Sequence, residues 1–333
     1  MRVHTLVLVL GSLLASQGRA ALPAPGAPAG APDSVPFWSA QSPVLAVQAE
    51  GPEYVSAQVG NVTLWHPATI VDGQLLIVEI APAPGCDTPV VVWQGQSYKT
   101  LPVGEHVRAL MPVALGTSPG QKDLQVICGT ETARFPLLVT AGNYPESQLT
   151  VDPKFVHAPP ERATVEGANI HQALSQSDPV PFWREAFLRP TDGVITSIFG
   201  GRRTFNVTLA SRHMGLDFDG SLGTPVRAAN RGRVVLAAGD YYFVGNAVFV
   251  DHGAGLFTMY FHMSALAVKT GDMVEKGQLI GEIGSTGRAT GPHLHFGTKI
   301  QGIYFNPEGL LDYEPAWVLA PRTVAPMCRR GSR

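Results

Sequence analysis

Residues 212–219 read Arg212-His213-Met214-Gly215-Leu216-Asp217-Phe218-Asp219, and their alternation decides how the C-terminal half is read. At a period of two, His213, Gly215, Asp217 and Asp219 share one face of a strand, while Met214, Leu216 and Phe218 share the other. Such a strand is half buried, with its polar face directed into something. Fully extended, it would hold residues 213 and 217 about 13 Å apart, whereas ligand bonds to one metal ion are about 2 Å long. Both side chains reach a common ion only if the chain bends between them. Gly215 is where a bend, or the close approach of an ion, is least hindered.

Two further stretches carry the same signature. In Phe257-Thr258-Met259-Tyr260-Phe261-His262-Met263 the alternation predicts Phe257, Met259, Phe261 and Met263 toward a core and Thr258, Tyr260 and His262 away from it. In Gly291-Pro292-His293-Leu294-His295-Phe296 the two histidines stand two apart, so a strand points both imidazoles the same way, about 6.6 Å apart along the backbone. A lone His-x-His is most often a pair of surface histidines, and a lone strand histidine is most often a satisfied structural residue. Five of the ten histidines fall between 213 and 295, however, and three strands each present histidine on a polar face. Three histidines and an aspartate with no cysteine nearby form a donor set that suits zinc, and three ligands would leave a fourth position for water. His252, in Asp251-His252-Gly253, reads as a structural turn residue. His66 and His106 stand alone in the sequence and read as structural or surface groups.

The rest of the chain frames this cluster. Its 333 residues, 45% of them hydrophobic, support about two domains. The 36 Gly and 28 Pro favour turn-rich β architecture over a helical bundle. With 24 basic and 26 acidic side chains, charge gives no argument for nucleic acid as a partner. Residues 1–20 read as a secretory signal: Arg2 and His4, an apolar stretch from Thr5 to Leu14, then Gly18-Arg19-Ala20 as a cleavage site. That stretch falls short of the roughly 20 apolar residues that span a bilayer, and no later stretch is longer, so the mature chain is expected to carry no transmembrane segment. An exported chain meets oxidising conditions, where Cys86, Cys128 and Cys328 allow three pairings. A bridge between Cys86 and Cys128, which lie in one β-rich region, is the first expectation.

Residues 21–39 read as a Pro/Ala/Gly linker. Between 40 and 141, short runs at Leu75–Ile80, Pro89–Trp93, Val107–Val113, Leu124–Cys128 and Phe135–Thr140 predict a small antiparallel β-sandwich, immunoglobulin-like in spacing. Residues 142–189 read as a connector with a helix over Glu161–Ser175, introduced by Pro159-Pro160. β character returns over 190–312, and 313–333 is a basic tail. The expected fold class is therefore mainly β, a sandwich followed by a second β-sheet domain.

With the His-x-x-x-Asp and His-x-His elements in place, residues 190–312 resemble the lysostaphin-like (LytM-type) zinc endopeptidases. The likeness runs through Thr196-Ser197-Ile198-Phe199-Gly200, Gly223-Thr224-Pro225-Val226, Gly245-Asn246-Ala247-Val248, Tyr260-Phe261-His262-Met263, Gly271-Asp272-Met273-Val274 and Gly284-Ser285-Thr286-Gly287 to Gly291-Pro292-His293-Leu294-His295. The resemblance implies one Zn²⁺ per chain held by His213, Asp217 and His295, with His262 and His293 as the catalytic pair. One of that pair would orient or deprotonate water and the other would stabilise the oxyanion. Asn206 and the turn Gly284–Gly291, Thr290 included, are expected to line the substrate groove. The implied substrates are peptide stems of bacterial peptidoglycan, cut by a periplasmic D,D-endopeptidase or, alternatively, by a secreted enzyme. A non-catalytic LytM-type activator of cell-wall amidases is the rival within the fold. For the enzyme itself the resemblance leaves an inhibitory role open, in which linkers and front domains block the groove and His157 or His171 supplies a fourth zinc ligand in a latent form. Val268–Gly284 has the hairpin pattern of biotinyl and lipoyl carriers, a reading that leaves the histidines unexplained.

Overall fold

The computed structural model describes residues 54–312, apart from 82–83, 87, 157–158 and 207–208. The expected signal and linker, the first part of the expected sandwich, the basic tail with Cys328, and His157 lie outside the described residues.

Ten strands fill residues 54–140: β1 (Tyr54–Val59), β2 (Val62–Pro67), β3 (Thr69–Val71), β4 (Leu75–Ala81), β5 (Val90–Trp93), β6 (Gln96–Lys99), β7 (Leu101–Val103), β8 (His106–Pro112), β9 (Gly120–Cys128) and β10 (Glu131–Thr140). They make two five-stranded sheets, ordered β1-β2-β4-β8-β7 and β3-β10-β9-β5-β6. β10 shows why these sequences form half-buried strands: Ala133, Phe135, Leu137 and Val139 are buried, and Arg134, Pro136 and Leu138 between them are exposed. All pairings are antiparallel except β3 with β10, which is parallel. The expected disulfide is present, joining Cys86 to Cys128. His106 is less isolated than the sequence implied. It pairs with Glu79, which also binds Arg108 at 2.8 Å, and its ring stacks on Trp65.

The stretch read as a connector takes part in the second half. Its strand β11 (Glu146–Leu149) runs parallel to β13 (Arg202–Phe205), which pairs with β14 (Leu209–Arg212). The helix α1 spans Pro160–Ala173, with Pro160 in the first turn, where a missing N–H costs nothing. Ile170 and Leu174 at its end pack on Ala247, Phe249 and Met259. A ten-stranded sheet carries the rest: β12 (Ile195–Ser197), β15 (Leu216–Asp219), β16 (Pro225–Arg227), β17 (Gly232–Tyr241), β18 (Gly245–Asp251), β19 (Leu256–Leu266), β20 (Met273–Val274), β21 (Leu279–Ile283), β22 (His293–Ile300) and β23 (Ile303–Phe305). Its spine runs β12-β15-β22-β19-β18-β17-β20, followed in sequence by a short α2 (Glu308–Leu311). Leu216, Phe218, Leu294, Phe296 and Tyr260 fill the core on one face of this spine. No helix among the described residues is long and apolar enough to cross a membrane.

His252 is part of that core and is fully buried. Its Nδ1 lies 2.8 Å from the Arg231 carbonyl and must donate to it, and its Nε2 lies 2.8 Å from Thr258 Oγ1. Thr258 Oγ1 donates to the Tyr260 hydroxyl at 2.9 Å, and the Tyr260 oxygen accepts the Ala229 N–H at 2.8 Å. The ring is thus enclosed in the core between a carbonyl and a hydroxyl. Burial accordingly pushes the His252 pKa down from 6.5 to about 4, against a smaller raising effect of the Arg231 carbonyl. The unfolded chain binds this proton below about pH 6.5 and the folded chain does not, so stability is lost as the pH falls from 6.5 toward 4. Unfolding by urea across that window is expected to follow a visibly flatter pH profile in His252→Gln than in the wild type, the difference reaching roughly 3 kcal/mol at most.

Candidate metal centre and its groove

The chain bends where the metal argument requires it. β14 ends at Arg212, β15 begins at Leu216, and the bend falls on Gly215. A Cβ there would collide with the Phe296 carbonyl and sit 2.7 Å from His295 Nε2, so only glycine lets this segment lie against β22. β15 then pairs with β22, setting Asp217 directly opposite His295. The result is a triangle of donors: His213 Nε2 to Asp217 Oδ1 is 2.9 Å, and His295 Nδ1 is 3.0 Å from each. Ligands about 2 Å from one tetrahedral ion stand a little over 3 Å apart. Among the described residues the site contains no thiolate, all three donors belong to buried residues, and the set fits a zinc ion with one position left open.

Neighbours fix each donor. His213 Nδ1 donates to the Ile198 carbonyl at 2.8 Å, which leaves the Nε2 lone pair facing the triangle. The His295 ring lies parallel to Phe261, 5.0 Å between centroids. Arg203 binds Asp217 Oδ2 and, at 2.7 Å, Ser197 Oγ, so Oδ1 is the oxygen turned to the histidines. Burial raises the Asp217 pKa, but the adjoining His213 and His295 outweigh it and hold the carboxyl far below the usual range. Burial lowers His295 to about 4 although Asp217 works in the opposite sense.

His262 reaches the same place by a route that alternation does not describe. On β19 the pairing runs Val248–Tyr260 and then Asn246–Met263, so Ala247 alone faces both Phe261 and His262. This is a β-bulge, and His262 adopts φ = +64°, a left-handed conformation unfavourable for a side chain of its size. Because of it, Phe261 and His262 both enter the groove. Thr258 and Tyr260, expected to face away from the core, lie fully buried within it. Nδ1 of His262 is 2.8 Å from the Thr286 carbonyl, and Nδ1 of His293 is 2.8 Å from that of Gly291. Both rings therefore hold an Nε2 lone pair free, with centroids 4.8 Å apart. His293 Nε2 is 3.9 Å from Asp217 Oδ1. Burial, followed by the neighbouring His293 and His295, lowers His262 to about 3, which keeps it neutral at neutral pH.

All five histidine and aspartate positions singled out in the sequence line one groove of about 540 Å³. Thr290 lines it as well, but Asn206 does not. Its amide is spent on the Val151 backbone, accepting from the N–H and donating to the carbonyl, both at 2.9 Å. The groove also contains groups that the sequence reading passed over: Arg203, Phe205, Phe243 and Arg288. A larger cleft of about 820 Å³ lies beside Lys99, His171, Trp183 and Phe257; among the described residues no cluster of three metal ligands lies there, and His171 is absent from the groove lining.

The family model for peptidase family M23 matches residues 211–307. The chain is 42% identical over 127 residues to the peptidoglycan DD-endopeptidase ShyC of Vibrio cholerae, covering 37% of this chain and 29% of that protein. It is 42% identical over 113 residues to the DD-carboxypeptidase/endopeptidase Mpg of Neisseria meningitidis, covering 34% and 26%. The chain thus spans less than a third of the length of these curated relatives. A crystal structure of a Pseudomonas aeruginosa protein assigned as a peptidase M23 matches with a TM-score of 0.57 and 28% identity, covering 72% of this chain and 94% of that one. Such coverage reaches past the metal-site sheet into the N-terminal strands.

Proposed function

We propose that this chain, whose residues 211–307 belong to peptidase family M23, is an exported zinc endopeptidase that hydrolyses peptide cross-links of bacterial peptidoglycan, as a D,D-endopeptidase. The observation that carries the reading is the meeting, in one groove, of a three-donor triangle and two imidazoles with free Nε2 lone pairs. His213, Asp217 and His295 would hold the ion. When bound, zinc supplies a Lewis acid that polarises the scissile carbonyl and acidifies water. His262 and His293 take the proton side of the reaction: one accepts or orients the proton of the attacking water, and the other, protonated, donates to the oxyanion or the leaving amine. Phe261 packs flat on His295 and keeps that ligand in place. The names of the Vibrio and Neisseria relatives support the bond class. The Cys86–Cys128 bridge supports an oxidising compartment, in line with the export signal expected at residues 1–20 and with a periplasmic location.

The test uses the exported chain, assayed for zinc and incubated with purified sacculi before stripping by chelator and after zinc is restored. About one zinc per chain is expected. Release of soluble peptides should stop with the chelator and return with zinc, and mass spectrometry should place the new ends at D-alanyl-diaminopimelate links. A chain that binds no zinc and releases nothing would instead be the non-catalytic amidase activator.

A further inference from the structure

Among the described residues three arginines line the groove, and two of them are engaged: Arg203 with Asp217 and Ser197, and Arg212 with the Gly200 carbonyl at 2.9 Å. Arg288 differs. Its guanidinium carbon stands 4.5 Å from the centre of the Phe205 ring and 4.7 Å from that of Phe243. Among the described residues it makes these ring contacts and one backbone bond, N–H to the Phe243 carbonyl at 3.0 Å, and its guanidinium meets no carboxylate. The acids of the groove are already taken, since Asp217 faces Arg203 and the two histidines, and Asp219 accepts the Val194 N–H at 2.6 Å.

The turn that carries Arg288 is held in place. Thr286 Oγ1 donates to the Met263 carbonyl at 2.8 Å and accepts from Asn246 N–H at 2.9 Å. Gly287, at φ = +71°, lies so close to Gly245 that any Cβ would collide with its backbone. The same turn provides the carbonyl that orients His262, so the guanidinium is fixed relative to the candidate catalytic pair. A half-buried cation between two rings is favoured by the ring faces, yet its in-plane N–H donors remain unsatisfied by protein anions. A planar fork of that kind matches a carboxylate bidentately, whereas a neutral amide offers it a single acceptor oxygen.

We infer that Arg288, braced by Phe205 and Phe243, is the substrate-carboxylate reader of this groove, which makes the chain selective for cross-linked peptides bearing a free carboxylate beside the scissile bond over neutral or amidated ones. The inference rests on the groove being the peptide site proposed above. Two carboxylates share this chemistry, the side carboxylate of a diaminopimelate residue and the C-terminal carboxylate of the acceptor peptide.

The experiment titrates three versions of one D-alanyl-diaminopimelate cross-linked peptide into the zinc-loaded His293→Ala chain by calorimetry: the free acid, the form with its diaminopimelate carboxylate amidated, and the form with its C-terminus amidated. Cleavage of each by the unaltered chain is followed in parallel. One amide is expected to bind about ten- to a hundredfold more weakly than the acid, and which amide it is names the carboxylate read. Arg288→Gln added to that background should remove the gap with zinc content unchanged, and Arg288→Lys, which keeps a cation over the rings, should restore part of it. Equal binding of acid and both amides, a gap that survives Arg288→Gln, or no binding of any peptide would each overturn the inference. Acid-selective, Arg288-dependent binding without cleavage would sink the peptidase reading and leave the carboxylate reader standing. Cleavage of all three peptides with the same KM would do the reverse.

Discussion

Asp217→Asn is expected to yield a folded chain that holds no zinc and releases no peptides from sacculi. The substitution changes one atom of a buried group, so it tests charge and donor chemistry rather than packing. In the wild type, Oδ2 meets Arg203 and Oδ1 meets the two ligand histidines. An asparagine has one oxygen and one NH₂ to place in these two directions. Arg203 has only donors, so the amide oxygen must turn to it. The NH₂ then points into the donor triangle, where it satisfies the imidazole lone pairs and fills the position an ion would take. Zinc added to the wild type should raise the midpoint of thermal unfolding, because an ion that binds only the folded state stabilises it by mass action. The same addition should leave Asp217→Asn unmoved. A variant that still takes up one zinc and still cleaves would remove Asp217 from the ligand set.

The parts of this site that a sequence exposes are those written in short-range periodicity. His293 and His295 had to point the same way because a strand repeats every two residues, and β22 places them so. The need for a bend at Gly215 followed from setting a 13 Å strand span, roughly, against 2 Å metal bonds, and the bend is there. His262 was found for a reason that proves incomplete. Alternation put it opposite Phe261, and an extra residue facing Ala247 brings both to one side. A bulge is specified by two strands together, and β18 lies some fifteen residues upstream, outside any local window. The same holds for Arg203 and Arg288, whose meaning comes from partners on other elements: Asp217 for one, Phe205 and Phe243 for the other. Asn206 failed in the opposite sense. A polar residue near the site looked available, but the backbone of Val151, fifty-five positions away, uses both ends of its amide.

The N-terminal half tells the same story at the scale of elements. The five apolar runs between 75 and 140 are strong enough to be read singly, and each falls on a strand, with Pro89 and Val113 one residue outside. β1, β6 and β7 are short and largely exposed or half-buried, so their hydrophobic pattern carries little signal. They exist because a stronger neighbour pairs with them: β1 on β2, β6 on β5, β7 on β8. β11 gains its place similarly, as a four-residue strand with a mostly exposed surface that borrows its register from β13. Strand existence at a sheet edge is a tertiary property, and a connector read from composition alone conceals it.

His293→Ala is expected to separate binding of the ion from turnover: zinc content near that of the wild type, with hydrolysis of a cross-linked peptide reduced by about 10²–10⁴-fold, the range contributed by a positioned general acid or base. The geometry makes His293 the cleaner member of the pair to remove. Its ring is half-buried at the groove side and, among the described residues, hydrogen-bonds the Gly291 carbonyl two residues away, so truncation opens space to solvent without freeing a buried partner. His262 is different: it is buried, it sits at the strained bulge, and its Nδ1 ties down the turn that carries Arg288. Loss of activity in His262→Ala would therefore mix chemistry with displacement of that turn. The two roles are told apart by the split between kcat and KM. A lost proton-transfer group lowers kcat and leaves KM nearly unchanged, whereas a shifted turn raises KM as well. If His293→Ala kept both zinc and full kcat, the proton work in this groove would fall to His262 alone, and the second free imidazole would need another purpose.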